Sequence, residues 1–172
     1  ISAEFVRNSK KSGDNMRRKE REVIDDVQID GIIRKCKICR VGFYDNGEVY
    51  IVPLNFGFVH SGNKRIFYFH GAKEGRKFEL IRHKPEVGFE LDTAYKLIEA
   101  ETPCAFSAMY QSVIGTGIIS EITDFECKKN ALTELMNTIT GKKEWDFPPH
   151  AIDAVAVFKM EVKTISCKQH LA

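Results

Sequence analysis

The stretch Val41-Gly42-Phe43-Tyr44-Asp45-Asn46-Gly47-Glu48-Val49-Tyr50 sets the architecture. Asp45-Asn46-Gly47 is the strongest short hairpin signal, because asparagine and glycine tolerate the backbone that a tight turn between twisted strands requires. Val41 and Phe43 lead into the turn, and a second strand is expected over residues 48 to about 59. Working outward, Ser61-Gly62-Asn63 makes another turn and residues 66–70 read as a third strand. Further strands are expected over 87–92, over 113–122 after the alternating Phe106, Ala108 and Tyr110, and over 154–167.

Helical signals punctuate these strands. Ile24, Ile29, Ile32, Ile33 and Cys36 approximate one apolar helix face, with Asp25 or Asp26 as its cap. A second helix is expected from near Gly71 to His83, where Pro85 stops it. Thr123-Asp124-Phe125-Glu126 reads as a capping box, Leu132, Leu135, Met136 and Ile139 follow at helical spacing, and Gly141 closes the element. Residues 144–149 read as an irregular link. Six or seven strands with a few short helices predict a mainly β fold, a closed or nearly closed antiparallel barrel with helical decoration.

The chain has 172 residues, 43% apolar and 29% charged, which suits a globular protein with a real core and is too apolar for intrinsic disorder. Residues 1–15 are polar and aperiodic and read as a leader, leaving 16–172 as the folded domain; Met16 resembles a natural start. Residues 17–22 are a charge run expected to be an exposed arm. The first 22 residues carry a net +3 and the remainder −1, so the domain is nearly neutral and no nucleic-acid partner is expected. No apolar run is long enough for a membrane span, and no secretory signal is visible.

Five cysteines, at 36, 39, 104, 127 and 167, are odd in number and scattered, which points to reduced thiols in a cytoplasm. Cys36 and Cys39 form a lone Cys-x-x-Cys. Half a zinc site, a redox dithiol and plain structural thiols are the readings; without a second Cys or His pair the structural one is favoured and no metal is expected.

Chemistry concentrates in Phe69-His70-Gly71-Ala72-Lys73-Glu74-Gly75-Arg76-Lys77. A strand ends, two glycines permit tight paths, and three cations gather where a helix begins. Helix N-termini attract anions, and basic side chains there are slightly unfavourable on their own account, so an external phosphate is the simplest explanation. The rival reading is a solvated basic helix start. Pro53, inside Tyr50-Ile51-Val52-Pro53-Leu54-Asn55-Phe56-Gly57, marks an edge strand or bulge where a planar ligand could meet backbone atoms. No dinucleotide fingerprint, P-loop, nucleophile elbow or zinc-protease motif is present. An enzyme built this way would leave the difficult chemistry to a cofactor.

The segments Val52-Pro53-Leu54-Asn55-Phe56, Phe67 through Lys77, Glu101-Thr102-Pro103-Cys104 and Ser112-Val113-Ile114-Gly115-Thr116-Gly117 resemble the nitroimidazole-resistance branch of the pyridoxamine-phosphate-oxidase-like flavoproteins. The resemblance implies an antiparallel split β-barrel, homodimeric, with FMN in a cleft at the dimer interface. By that likeness Lys73, Arg76 and Lys77 would hold the FMN phosphate, with backbone at Gly71 and Ala72. Val52, Pro53, Leu54 and Asn55 would lie along the flavin ring. Ser112, and after it Gln111, would reach the ligand from a neighbouring strand. His70 would face ring or substrate as the one candidate catalytic residue, unless it is simply structural. Trp145 would stack over the ligand or be a plain surface aromatic.

The chain departs from the oxidase proper in lacking its arginine-rich strand and C-terminal tryptophan-and-arginine arrangement, so pyridoxamine phosphate is not the expected substrate. The expectation is a cytoplasmic FMN-dependent reductase of nitroaromatic or similar electron-poor small molecules, with reduced nicotinamide, NAD(P)H, as a candidate electron donor. The alternatives are a non-enzymatic relative binding flavin (FMN or FAD) or haem, and a thiol redox protein using Cys36 and Cys39.

Overall fold

The structure, a computed structural model, describes residues 18–171. The leader expected over residues 1–15 lies outside them. Eight strands form one antiparallel sheet: β1 (Glu22–Val23), β2 (Cys39–Asp45), β3 (Glu48–Leu54), β4 (Gly57–Ser61), β5 (Lys64–Gly71), β6 (Glu86–Ile98), β7 (Ser107–Ile122) and β8 (Ala156–His170). Four helices accompany them: α1 (Asp26–Lys35), α2 (Arg76–His83), α3 (Phe125–Thr140) and α4 (Pro149–Ala154). The strands run in the order β3-β2-β6-β7-β8-β5-β4, and β1 pairs with the far end of β8.

This order explains the curvature. β3 and β4 stand at opposite ends of the sheet, yet only Asn55 and Phe56 separate them in the chain. Three peptide steps reach at most about 11 Å, so the sheet must curl until its two ends nearly meet. No ladder joins β3 to β4, and the result is a split barrel.

The Asp45-Asn46-Gly47 turn forms as expected, with Asn46 and Gly47 at φ 51° and 97° and Asp45 opposite Glu48. The single strand expected over 48–59 is instead two. The break falls at Asn55 and Phe56, just before Gly57, where a Cβ would stand 2.6 Å from the Leu135 amide nitrogen, so the backbone presses directly on α3; Pro53 does not interrupt β3, whose ladder to β2 continues to Leu54. β6 also runs six residues past Asp92, through an irregularity between Thr93 and Lys96 where Ala94 takes φ 57°.

Four local expectations need correction. α3 begins one residue later than a Thr123 capping box requires: Asp124 is the cap, and its carboxylate accepts from the Cys127 amide at 2.8 Å. α2 begins at Arg76 rather than near Gly71, because β5 continues to Gly71 and residues 72–75 bridge to a glycine start. The charge run is not wholly an arm, since Lys19–Arg21 form one 3-10 turn and Glu22 enters β1. The link over 144–149 leads into α4, which delays β8 to Ala156.

Phe67 centres the core, its ring 5.2–5.4 Å from those of Phe56, Phe58 and Phe89 and 6.4 Å from that of Phe69. Such aromatic contacts add roughly 0.5–1.5 kcal/mol each beyond burial. A second apolar layer, Ala131, Leu132, Ile152 and Val157, seats α3 and α4 on the outside.

Candidate anion and cofactor site

Strand β5 delivers its alternating pattern to the site: Phe67 and Phe69 point into the core, and His70 emerges exposed near its end. The chain then passes Ala72, Lys73 and Glu74, all exposed, to Gly75 at φ 102°, and α2 starts. Both α1 and α3 carry an aspartate whose carboxylate accepts a first-turn amide, whereas α2 has glycine at that place and no side-chain cap. Its first-turn N–H groups therefore keep their hydrogen-bonding capacity and the positive end of the helix dipole.

Lys77 is half-buried and folds back over β5, so that a Cβ on Gly71 would stand 2.5 Å from its Nζ. Burial holds its pKa below the ordinary lysine value. Among the described residues it has no carboxylate partner. Lys128 shows the contrast, because its buried ammonium donates to the Val155 carbonyl at 2.8 Å. An ammonium seated on bare backbone and partly withdrawn from water suits an anionic ligand. The pKa of His70 is likewise lowered, first by the surrounding protein and then by Lys77. The imidazole is held toward its neutral form, able to accept or donate a hydrogen bond.

Arg76 behaves differently from the two lysines. Its Nε donates to Asp45 Oδ2 at 2.7 Å, and its guanidinium lies 4.4 Å from the ring centroid of Tyr50. Glu48 stands 3.7 Å from Nη2, too far for a hydrogen bond. All three contacts come from the β2–β3 hairpin, so Arg76 ties the start of α2 to the free edge strand. Along that strand Val52 and Leu54 are half-buried against the core, while Pro53 is exposed. The exposed Asn55 donates from Nδ2 to the Lys37 carbonyl at 3.1 Å. The Asp45–Arg76 pair has no local signature, because it is created by the approach of α2 to a hairpin 31 residues earlier.

The remaining expected residues do not join this corner within one chain. Gln111 is buried and donates to Gln169 across β7 and β8 at 3.2 Å. Ser112 lies on the outer face, opposite Asp92 and Lys168. Its strand is three along from β3, about 14 Å away at ordinary strand spacing. Trp145 is half-buried at the far end of α3, where its Nε1 donates to Asn137 Oδ1 at 3.1 Å.

The outer sheet face between β3 and β7 is open and mixed, with apolar residues beside an ion network in which Arg40 pairs with Glu90 and Asp92. Tyr44, Val49, Ile51 and Ile114 are exposed on it, and Gly42 and Gly88 floor a groove of about 460 Å³. The Cys36 and Cys39 thiols sit in the core at the helix-to-strand junction. Burial pushes the first up to about 12 and the second higher still. Such thiols are poor nucleophiles at neutral pH. Among the described residues, no cluster of three or more His, Cys, Asp or Glu could hold a metal ion. No helix of the described residues is long and apolar enough to cross a membrane.

A family profile described as pyridoxamine 5'-phosphate oxidase matches residues 25–169. Among solved structures, a candidate 5-nitroimidazole antibiotic resistance protein from Bacteroides thetaiotaomicron is 29% identical, with 86% of each chain covered and a TM-score of 0.73. The flavocytochrome Anf3 from Azotobacter vinelandii is 21% identical over 91% of this chain and 72% of its own, TM-score 0.74. An FAD- and haem-binding protein from Mycobacterium smegmatis is 13% identical over 88% and 74%, TM-score 0.76. No curated protein matches the chain.

Proposed function

The chain belongs to the pyridoxamine 5'-phosphate oxidase family, and from that premise we propose that it binds FMN and works as a flavin-dependent reductase of electron-poor small molecules, nitroaromatic compounds among them. The observation that carries this reading is Lys77, a half-buried ammonium resting on Gly71 without a carboxylate partner among the described residues. With Lys73 nearby in the chain and the uncapped start of α2, it offers charge and N–H donors to a terminal phosphate. Each charge-assisted contact would contribute roughly 1.5–3 kcal/mol.

The flavin ring would lie along Val52, Pro53, Leu54 and Asn55, where the edge of β3 leaves main-chain groups without a strand partner. His70, exposed beside Lys77, would face ring or substrate. Bound flavin would supply the redox chemistry, taking electrons from a donor such as NAD(P)H and passing them to an acceptor. The protein would bind, orient and shield.

The position of Ser112 supports a homodimer. It stands on the outer face between Asp92 and Lys168, with the exposed Ile114 two residues along the same strand, so a second copy docked there would bring its Ser112 toward the other chain's edge strand; Trp145 of either copy is a further candidate for the ligand's open side. A cytoplasmic location accords with five cysteines that form no disulfide.

The test is to reconstitute the protein with FMN, reduce it anaerobically and add a nitroimidazole. Reoxidation of the flavin with stoichiometric loss of the nitro compound supports the reading. Flavin that binds but never transfers electrons to such acceptors leaves a binding protein only, and a Soret band in place of flavin absorbance makes it a haem protein.

A further inference from the structure

We infer that Asp45 is a positioning residue for the phosphate subsite, acting through Arg76; the inference rests on the flavin-phosphate reading above. A guanidinium has five N–H donors in a planar fork. Asp45 takes the one on Nε at 2.7 Å, and the Tyr50 ring covers one face at 4.4 Å. The carboxylate anchor and the nearby ring together restrain the guanidinium. The Nη edge makes no hydrogen bond; the carboxylate that faces it, Glu48 at 3.7 Å from Nη2, forms a solvent-screened ion pair that a ligand can displace.

That edge is the one that grips phosphate bidentately. Asp45 is suited to the task because its carboxylate is only 19% exposed, whereas that of Glu48 is 79% exposed and free to swing. A turn aspartate chosen only for the hairpin would need no arginine. Here the carboxylate orders a side chain of the helix that opens the anion site, and the cost of ordering Arg76 is met before a ligand arrives.

A plain strut between α2 and the hairpin would show the same contacts, so the test must read the phosphate and not the fold. The ratio of riboflavin to FMN dissociation constants does this, because displacement of β3 weakens both ligands alike. The full-length chain is titrated with each ligand as wild type and as Asp45→Asn, Arg76→Ala, Arg76→Lys, Glu48→Gln and the Asp45→Asn/Arg76→Ala double variant.

Asp45→Asn is expected to lower the ratio about 3–10-fold and Arg76→Ala by about 10-fold or more, from the usual strength of charge-assisted bonds. The double variant should fall no further than Arg76→Ala, and Glu48→Gln, which removes an anion beside the Nη edge, should not lower the ratio. Arg76→Lys should lose most of the preference, because an ammonium lacks the planar fork that holds a carboxylate at one edge and a phosphate at another. An unchanged ratio in Asp45→Asn with both affinities shifted together, or additive losses in the double variant, overturns the inference while leaving flavin binding intact. Should Asp45→Asn not fold, Arg76→Lys decides, and full FMN preference there overturns the inference. A wild type that binds riboflavin as tightly as FMN removes the phosphate reading itself, and this inference with it.

Discussion

Gly71 and Lys77 share one volume: the space a side chain on residue 71 would need is filled by the end of the Lys77 side chain, with Nζ 2.5 Å and Cε 3.2 Å from the missing Cβ. Gly71→Ala should therefore act through the lysine. A flexible terminus can move, so thermal stability is expected to fall little. FMN affinity should fall by about 10-fold or more, the scale of one charge-assisted contact. Isothermal titration together with a melting curve checks both halves. A large loss of stability with intact affinity would show that the two residues are coupled only through packing.

His70 makes the stability of the ligand-free protein depend on pH in a defined direction. Its folded-state pKa lies below its ordinary value near 6.5. Between the two values the unfolded chain binds the proton and the folded chain does not, so stability is lost as pH falls through that window. The melting temperature of the wild type should drop more between pH 7 and pH 5 than that of His70→Gln. Adding inorganic phosphate should shrink the difference, because a neighbouring anion favours the imidazolium.

Gly57 is the point where α3 meets the barrel. A Cβ there would lie 2.6–2.8 Å from the backbone of Glu134 and Leu135, atoms that cannot swing aside. Gly57→Ala must push α3 outward and strain the bond from the Phe58 amide to Thr138 Oγ1, now 3.1 Å. Overpacking of this kind costs roughly 1–3 kcal/mol, to be read as a lower urea midpoint.

What the sequence made legible was local. Asp45-Asn46-Gly47 announced its hairpin because turn chemistry is written in the turn, and Gly141 closed α3 in the left-handed conformation for the same reason. The break at Asn55 was hidden, since its cause is a helix 80 residues further on that needs a bare backbone at Gly57. The cations of the candidate site were visible as a cluster. Their division of labour was not: Arg76 is claimed by Asp45 and Tyr50, Lys77 by the seat at Gly71, and only folding brings those partners together. Ser112, and after it Gln111, stand as neighbouring ligand candidates in the sequence, and strand alternation sends the first to the outer face and the second into the barrel.

Thiol reactivity should divide the five cysteines in two. Cys104 and Cys127 are exposed, whereas Cys36, Cys39 and Cys167 are buried, and burial raises the pKa of each buried thiol. A chromogenic disulfide reagent should label two thiols quickly in the native protein and three more only on denaturation. Cys36→Ser with Cys39→Ser is expected to cost stability, since each hydroxyl enters an apolar site, while leaving flavin reduction unchanged. Loss of electron transfer in a folded double variant would restore the thiol redox reading.

The most direct measurement for the account as a whole is a titration of cofactor-free protein with FMN, followed by absorbance and flavin fluorescence, for the wild type and Lys77→Ala. Saturable binding by the wild type, weakened about 10–100-fold in Lys77→Ala at an unchanged melting temperature, is the expected result. Equal affinity in the two proteins, or no saturable uptake by the wild type, would contradict it.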